Sequence, residues 1–182
     1  MIALNKPYTV EDFEAFCDLP ENNDRLFEFI GGEIVEKVPS NPQSSKIASR
    51  FNRFIGNHVD EHDLGHVTGE AGGYQVAGER YAPDVAFVSY GRQAELAKRG
   101  YNPLAPDLVV EVISPTDNLK QVMIKVGNYL AAGTVVWVAY PDTPSVDVYV
   151  PGQPVKSYGI DDTLDGSLVL PGFSVAISAI FK

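Results

Sequence analysis

The sequence has a single cysteine, no long apolar run and few basic residues. Cys17 alone cannot form an internal disulfide, which predicts a protein of a reducing compartment such as the cytoplasm. No apolar stretch could span a bilayer, and the polar first dozen residues do not match the core of a signal peptide. Lys and Arg number 14 against 24 Asp and Glu. The net charge of −10 argues against broad nonspecific affinity for nucleic acid, although it is compatible with a local basic face.

The composition fits a folded globular protein. The 182 residues are 45% hydrophobic and 21% charged, which is ordinary for a domain with a substantial core. The sequence has no internal repeat, low-complexity run or linker. We therefore expect a single domain over residues 1–182.

Local patterns predict helices and strands in a mixed order. A capping box of Thr9 and Asp12 begins a first helix, Gly31 and Gly32 form the turn of a hairpin, and Asn41 precedes a second helix. A third helix is expected over 118–132. Further strands are expected at 83–89, 107–114, 134–140, 147–150 and 167–170. This order predicts an α/β (α+β) fold, with a mixed central β-sheet flanked by helices on both faces.

Three acidic residues interrupt apolar strands. Glu111 shares a strand face with Val109, Asp84 shares one with Val88, and Glu28 lies between two phenylalanines. A buried carboxylate is costly unless something pairs with it. Each acid alone is explained by a strand end in solvent or by a partner Lys or Arg. A shared explanation for all three is a divalent cation, Mg²⁺ or Mn²⁺, which prefers carboxylate oxygens.

A lysine on the third predicted helix is a candidate partner for these acids. Lys125 lies beside Val122 and Tyr129 at the edge of the apolar stripe, whereas Lys120 falls on the opposite, solvated side. The helix follows the Glu111 strand directly, so this edge should overlook the end of that strand. The alternative is that the Lys125 stem is buried while its ammonium group reaches water.

The order of these motifs resembles the PD-(D/E)xK nuclease superfamily, and most closely its Uma family of restriction endonuclease-like proteins. Pro83-Asp84 and Glu111-Val112-Ile113 stand where that superfamily has its two acids. The similarity extends over nearly the whole chain, including FEFIGGEIVE, APDVAFVS, PDLVVEVISP, the Lys125-x-x-x-Tyr129 pair and the ending LPGFSV. The resemblance implies a restriction endonuclease-like fold.

The resemblance also implies residue roles. Asp84 and Glu111 would be the metal ligands, and Glu28 an additional acid near the metal. Ile113 occupies the usual lysine position, and Lys125 on the following helix would replace that lysine. The sequence departs from the family pattern at three positions where relatives usually or often carry an acidic residue, and here these positions are Gln121, Val135 and Tyr140.

The activity implied is metal-dependent endonucleolytic hydrolysis of DNA phosphodiester bonds with Mg²⁺ or Mn²⁺, in which Lys125 orients water or neutralises charge at phosphorus. The alternative is a catalytically inactive nuclease fold that serves as a binding or assembly module, with its acids paired to basic side chains. A homodimer would match a two-fold symmetric substrate, although no interface is identifiable in the sequence.

Two further patterns lie on the second predicted helix. His58, His62 and His66 are spaced by four, a zinc-like spacing, but Gly65 and the neighbouring acids favour a solvated helix end. Lys46, Arg50 and Arg53 form a basic stripe. A solvated face explains this stripe most simply, and it is also the candidate DNA-contact surface.

Overall fold

The computed structural model describes residues 7–166 and 169–182. Its helices are α1 (Val10–Cys17), α2 (Pro42–His62), α3 (Leu119–Ala131) and α4 (Ile177–Phe181), with a short 3-10 helix at Pro20–Asn22. Its strands are β1 (Phe27–Ile30), β2 (Glu33–Glu36), β3 (Gly65–Gly69), β4 (Tyr74–Val76), β5 (Glu79–Tyr81), β6 (Val85–Ser89), β7 (Leu108–Val112), β8 (Val135–Tyr140), β9 (Ser145–Tyr149), β10 (Lys156–Tyr158), β11 (Thr163–Asp165) and β12 (Ser174–Ala176). None of the described helices is long and apolar enough to cross a membrane.

A six-stranded mixed sheet forms the centre of the fold. Its strand order is β10-β9-β8-β7-β6-β3, in which β7 and β8 run parallel and the other neighbours antiparallel. The parallel pair is joined by α3, since parallel strands need a crossover connection. The predicted mixed central sheet is confirmed.

Helices cover both faces of this sheet. On one face, α2 buries Ile47 and Phe51 against Trp137, and α4 packs beside it. On the other face, α3 buries Val126 and Tyr129 among the alternate side chains of the same strands. The strand residues divide between the two cores with period two, as a sheet buried on both faces requires.

A second sheet, in the order β2-β1-β5-β4, packs on the α3 side of the molecule. Its β1–β2 turn has positive φ at Gly31 (60°) and Gly32 (81°), a conformation that glycine adopts without steric cost. Phe27 and Phe29 of β1 pack against α1, so Glu28 points to the opposite side, toward α3. This arrangement brings an acid from a separate sheet to the centre of the fold.

The structure differs from the expected elements in two places. The strand expected at 167–170 begins at residues outside the described part of the chain, and Val169 and Leu170 lie in a turn between β11 and β12. The helical period that joins Val122, Val126 and Tyr129 also predicts Leu119 on the buried stripe of α3, but Leu119 is 59% exposed, because it is the first residue of the helix and lies beyond the packed turns.

The N-terminus of α2 is capped by the side chain of Asn41. Oδ1 of Asn41 accepts hydrogen bonds from the backbone N–H groups of Gln43 (2.9 Å) and Ser44 (3.0 Å). Asn41→Ala should therefore lower the free energy of unfolding by about 1 kcal/mol, measured by chemical denaturation. Asn41→Ser keeps an acceptor oxygen and should lose much less. An equal loss in both variants would mean that this oxygen does not stabilise the helix.

Candidate active site

Asp84 and Glu111 are brought together by the pairing of β6 with β7. The antiparallel register pairs Val85 with Val110, which places Asp84 opposite Glu111 at the end of the two strands. Oδ2 of Asp84 accepts a hydrogen bond of 2.8 Å from the N–H of Val112. Side chains of opposite residues project to the same face of a sheet. The two acids therefore lie on the α3 side, as the period-two pattern predicts.

Glu28 reaches the same place from β1. Its Oε1 accepts a hydrogen bond of 2.7 Å from the N–H of Ala82, two residues before Asp84, and its side chain is 9% exposed. The strand that carries Glu28 belongs to the second sheet. The fold thus brings together three carboxylates that are far apart in sequence.

Lys125 lies among these carboxylates. Its Nζ atom is 2.7 Å from Oε1 of Glu111 and 2.9 Å from Oε1 of Glu28. The hydroxyl of Tyr129, one turn further along α3, donates to Oε1 of Glu111 at 3.3 Å. The Lys125 side chain is only 6% exposed. The alternative in which its ammonium reaches water is therefore wrong, because the second sheet covers the edge of the helix on which Lys125 lies.

A second lysine that the sequence reading missed pairs with Asp84. Lys37 follows β2, and its Nζ atom donates to Oδ1 of Asp84 at 3.0 Å and to the carbonyl of Ala82 at 2.6 Å. The same residue, Ala82, donates its N–H to Glu28. No periodicity or motif distinguishes Lys37 from an ordinary lysine at the end of a strand. Its pairing with Asp84 therefore could not be predicted from the sequence.

These side chains line a cavity of about 220 Å³. Its walls come from β1, the end of β2 and the segment after it, Asp84 just before β6, the end of β7 and the segment that follows it, and the first half of α3. Ile113, in the usual lysine position of the motif, and Gln121 also line it. The site therefore combines a carboxylate cluster, two ammonium groups and a space adjoining them.

A family profile and a solved structure match this chain. The sequence profile of the Uma2 family, described as "Putative restriction endonuclease", matches residues 10–178. The chain belongs to the Uma2 family. No curated protein matches it. It is also similar to a crystal structure described as a putative nuclease belonging to DUF820 from Anabaena variabilis ATCC 29413, with a TM-score of 0.82. The identity is 23%, over 96% of this chain and 98% of that one, so this likeness supports the restriction endonuclease-like fold.

The departures from the pattern of the Uma2 family fall at different depths. Gln121 lines the cavity, and its Nε2 donates to Oε2 of Glu33 at 3.0 Å. Val135 is buried in the core on the α2 face. Tyr140 is half-buried at the end of β8. Gln121 is therefore the departure that changes the charge along the cavity wall.

The basic stripe of this Uma2 protein lies away from the cavity. Lys46 donates to the carbonyl of Lys182 at 2.6 Å, and Arg50 donates to that of Ala179 at 3.1 Å. Arg53 lies over the ring of Phe54. All three are on α2, which covers the opposite face of the sheet from α3. Two of them thus hold the end of α4, and the DNA contact expected of the stripe stays a prediction.

The histidines are not brought into one group. His58 and His62 stack on α2 with ring centroids 4.3 Å apart, but His66 lies on β3, where its Nε2 contacts the carbonyl of Ala94. The helix ends at His62, before Gly65, as expected. Across residues 7–166 and 169–182, no three His, Cys, Asp or Glu side chains are arranged as a metal-binding group. The favoured interpretation of a solvated helix end therefore fits better than a zinc site.

The carboxylates of the Uma2 cavity nevertheless suit a hard cation. Mg²⁺ is commonly held by one or two carboxylates and keeps several waters, so Asp84 and Glu111 supply enough protein ligands. Each of these two carboxylates has an ammonium partner. A bound cation would have to compete with these ammonium groups.

Burial and charge shift the proton affinities of the cluster. Burial raises the pKa of Glu111 to about 7, and Asp84 and Glu28 add to this effect while Lys125 opposes it. Burial disfavours the charge on Lys125, but Glu111 and Glu28 outweigh it and raise the pKa of the ammonium above its ordinary value. Lys125 is therefore protonated at neutral pH, while Glu111 titrates in the neutral range.

The raised pKa of Glu111 predicts a pH-dependent stability. Because the folded protein binds this proton more tightly than the unfolded chain, the stability that Glu111 contributes falls as pH rises from about 4.5 to about 7. The shift corresponds to on the order of 3 kcal/mol. In metal-free buffer, Glu111→Gln removes this dependence, so its free energy of unfolding should rise relative to wild type between pH 5 and pH 8. A constant difference across this range, or a loss of several degrees in Tm at pH 8, would contradict it.

Proposed function

We propose that this protein is a divalent metal-dependent nuclease that hydrolyses phosphodiester bonds in DNA. The observation that carries the proposal is the convergence of Asp84, Glu111, Glu28 and Lys125 on one cavity. These acids come from different strands and two different sheets, and a core gains no stability from crowding like charges. Membership of the Uma2 family supports the nuclease class, while the substrate and the metal are proposals.

The residues have separable roles in this proposal. Asp84 and Glu111 would hold Mg²⁺ or Mn²⁺, which when bound supplies a Lewis acid that polarises phosphate oxygens and lowers the pKa of water. Lys125 is fixed by two carboxylates and a packed helix, so its charge is positioned before substrate arrives. A positioned cation stabilises the negative charge that develops on the phosphoryl group. Glu28 orients Lys125 and lies next to the proposed metal ligands.

One observation favours the second candidate, an inactive nuclease fold that acts as a binding or assembly module. Asp84 is paired with Lys37, and Glu111 and Glu28 are paired with Lys125, as expected for acids that serve structure alone. Metal binding distinguishes the two functions, because ion pairs that serve structure alone are not expected to bind a divalent cation. A homodimer stays a prediction under both.

The metal is tested by calorimetry. Asp84→Asn keeps the size of the side chain but removes one of the two proposed ligands. Mn²⁺ affinity should fall at least about tenfold, since a lost ligand is worth more than the roughly 1.4 kcal/mol that tenfold represents. Asp60→Asn, which removes an exposed charge from α2, is the matched control and should bind Mn²⁺ like wild type. Equal affinity in wild type and Asp84→Asn would rule out Asp84 as a ligand.

The role of Lys125 is tested by separating rate from stability. Lys125→Met leaves two buried carboxylates without their ammonium, so it should cost about 3–5 kcal/mol of stability. It should also lower the rate of metal-dependent DNA cleavage by about 100-fold or more. The double variant Lys125→Met with Glu28→Gln should recover much of the stability but none of the rate.

The control for Lys125 is Lys120→Met on the exposed side of α3, which should change neither quantity. A double variant that cleaves DNA like wild type would mean that Lys125 serves structure only. Absence of cleavage in wild type, with Mg²⁺ or Mn²⁺ and several DNA forms, would favour the inactive module instead.

A further inference from the structure

Lys37 is the less constrained of the two lysines in the cavity. Its side chain is 20% exposed and that of its partner Asp84 is 19% exposed, whereas Lys125 and both of its partners are below 10%. Lys37 lies directly after β2, next to the cavity, and is not held within a helix. An ammonium at a partly exposed strand end can change partner with little rearrangement, and the fixed Lys125 cannot.

With all groups ionised, the charges of the cluster do not balance, because the three carboxylates contribute −3 and the two lysines +2, which leaves −1. A divalent cation held by Asp84 and Glu111 would make the cluster +1 and would remove the reason for Lys37 to stay on Asp84. The displaced ammonium would then adjoin the cavity with no carboxylate partner.

We propose that Lys37 and a divalent metal compete for Asp84, and that the Lys37 ammonium, when it is not paired with Asp84, contacts a phosphate of the substrate. This inference rests on the proposed function, and it adds a substrate-contacting residue that no motif marks. Lys37 thereby both prevents carboxylate repulsion before metal binds and supplies a phosphate contact afterwards. The metal and the substrate would be coupled, because each favours the same position of one side chain.

A purely structural role for Lys37 is the competing explanation. Its bonds to Ala82 and Asp84 tie the end of β2 to the residues that precede β6. A structural lysine and an exchanging lysine predict different results when the charge is removed but the length of the stem is kept. Lys37→Met is therefore the test variant, and its folding is checked by its thermal unfolding.

The matched control is Lys98→Met. Lys98 is exposed in the segment that joins the end of β6 to the start of β7, at the opposite end of these strands from Asp84 and Glu111. This variant makes the same change in net charge without touching the cavity. Any effect that both variants share is due to net charge alone.

The first readout is Mn²⁺ affinity by calorimetry. The ion pair that the metal must break is partly exposed and worth up to about 1 kcal/mol, so Lys37→Met should bind Mn²⁺ roughly fivefold more tightly than wild type. The Lys98→Met control should show no comparable gain. Affinity in Lys37→Met that is equal to or weaker than wild type would overturn the competition between lysine and metal.

The second readout is the salt dependence of binding to a short phosphorothioate DNA duplex that resists cleavage. With Mn²⁺ present, Lys37→Met should bind the duplex more weakly than wild type, and the slope of log K against log salt should decrease by about 0.9, the value for one phosphate contact. Without Mn²⁺, the two slopes should agree, because Lys37 then stays on Asp84. Equal slopes in the presence of Mn²⁺ would overturn the phosphate contact.

In Lys37→Met, Mn²⁺ affinity should rise while DNA affinity falls. A destabilised or misplaced end of β2 would not raise one affinity and lower the other. If wild type binds Mn²⁺ but Lys37→Met binds it no more tightly, the inference fails while the proposed function stands. If neither protein binds Mn²⁺, the proposed metal site fails and this inference fails with it.

Discussion

The site depends on one buried ammonium group held between two carboxylates. Lys125 lies 2.7 Å from Glu111 and 2.9 Å from Glu28, with almost no exposure to water. Removing three charges from water is costly, and their mutual attraction compensates only when the geometry is good. That geometry requires α3 to lie between the two sheets, with β1 on one side of Lys125 and β7 on the other. The packing of the second sheet therefore determines the arrangement of charges in the cavity.

The position of Lys125 shows that the fold can supply a cation from more than one element. Ile113 occupies the usual lysine position after Glu111 and lines the cavity as an apolar side chain. The ammonium comes instead from the helix that follows the strand, one turn before the tyrosine that donates to Glu111. Chemistry constrains where a charge lies in space, and a β–α connection gives several sequence positions access to the same point.

Much of this arrangement could be predicted from the sequence, because it is encoded locally. The asparagine before Pro42, the Gly31-Gly32 turn and the period of two in β6 and β7 each act over a few residues, and the period of two places Asp84 and Glu111 on one face. The depth of Lys125 and the pairing of Lys37 could not be predicted, because both depend on how the β2-β1-β5-β4 sheet packs on α3. Periodicity indicates which side of an element is buried but not which distant element covers its edge.

The lysine–carboxylate pairs alone do not separate an enzyme from a structural module, but their asymmetry favours an enzyme. A network that served only stability would be expected to close, with balanced charge and no adjoining space. Here Lys125 and its partners are buried, while Lys37 and Asp84 stay partly exposed beside a cavity of about 220 Å³. With all groups ionised, the excess negative charge lies in the buried half, because one ammonium there faces two carboxylates, whereas Lys37 and Asp84 form a neutral pair. A fixed half that holds Lys125 in place, beside an accessible ion pair that can exchange its partners, is the arrangement that the proposed function requires.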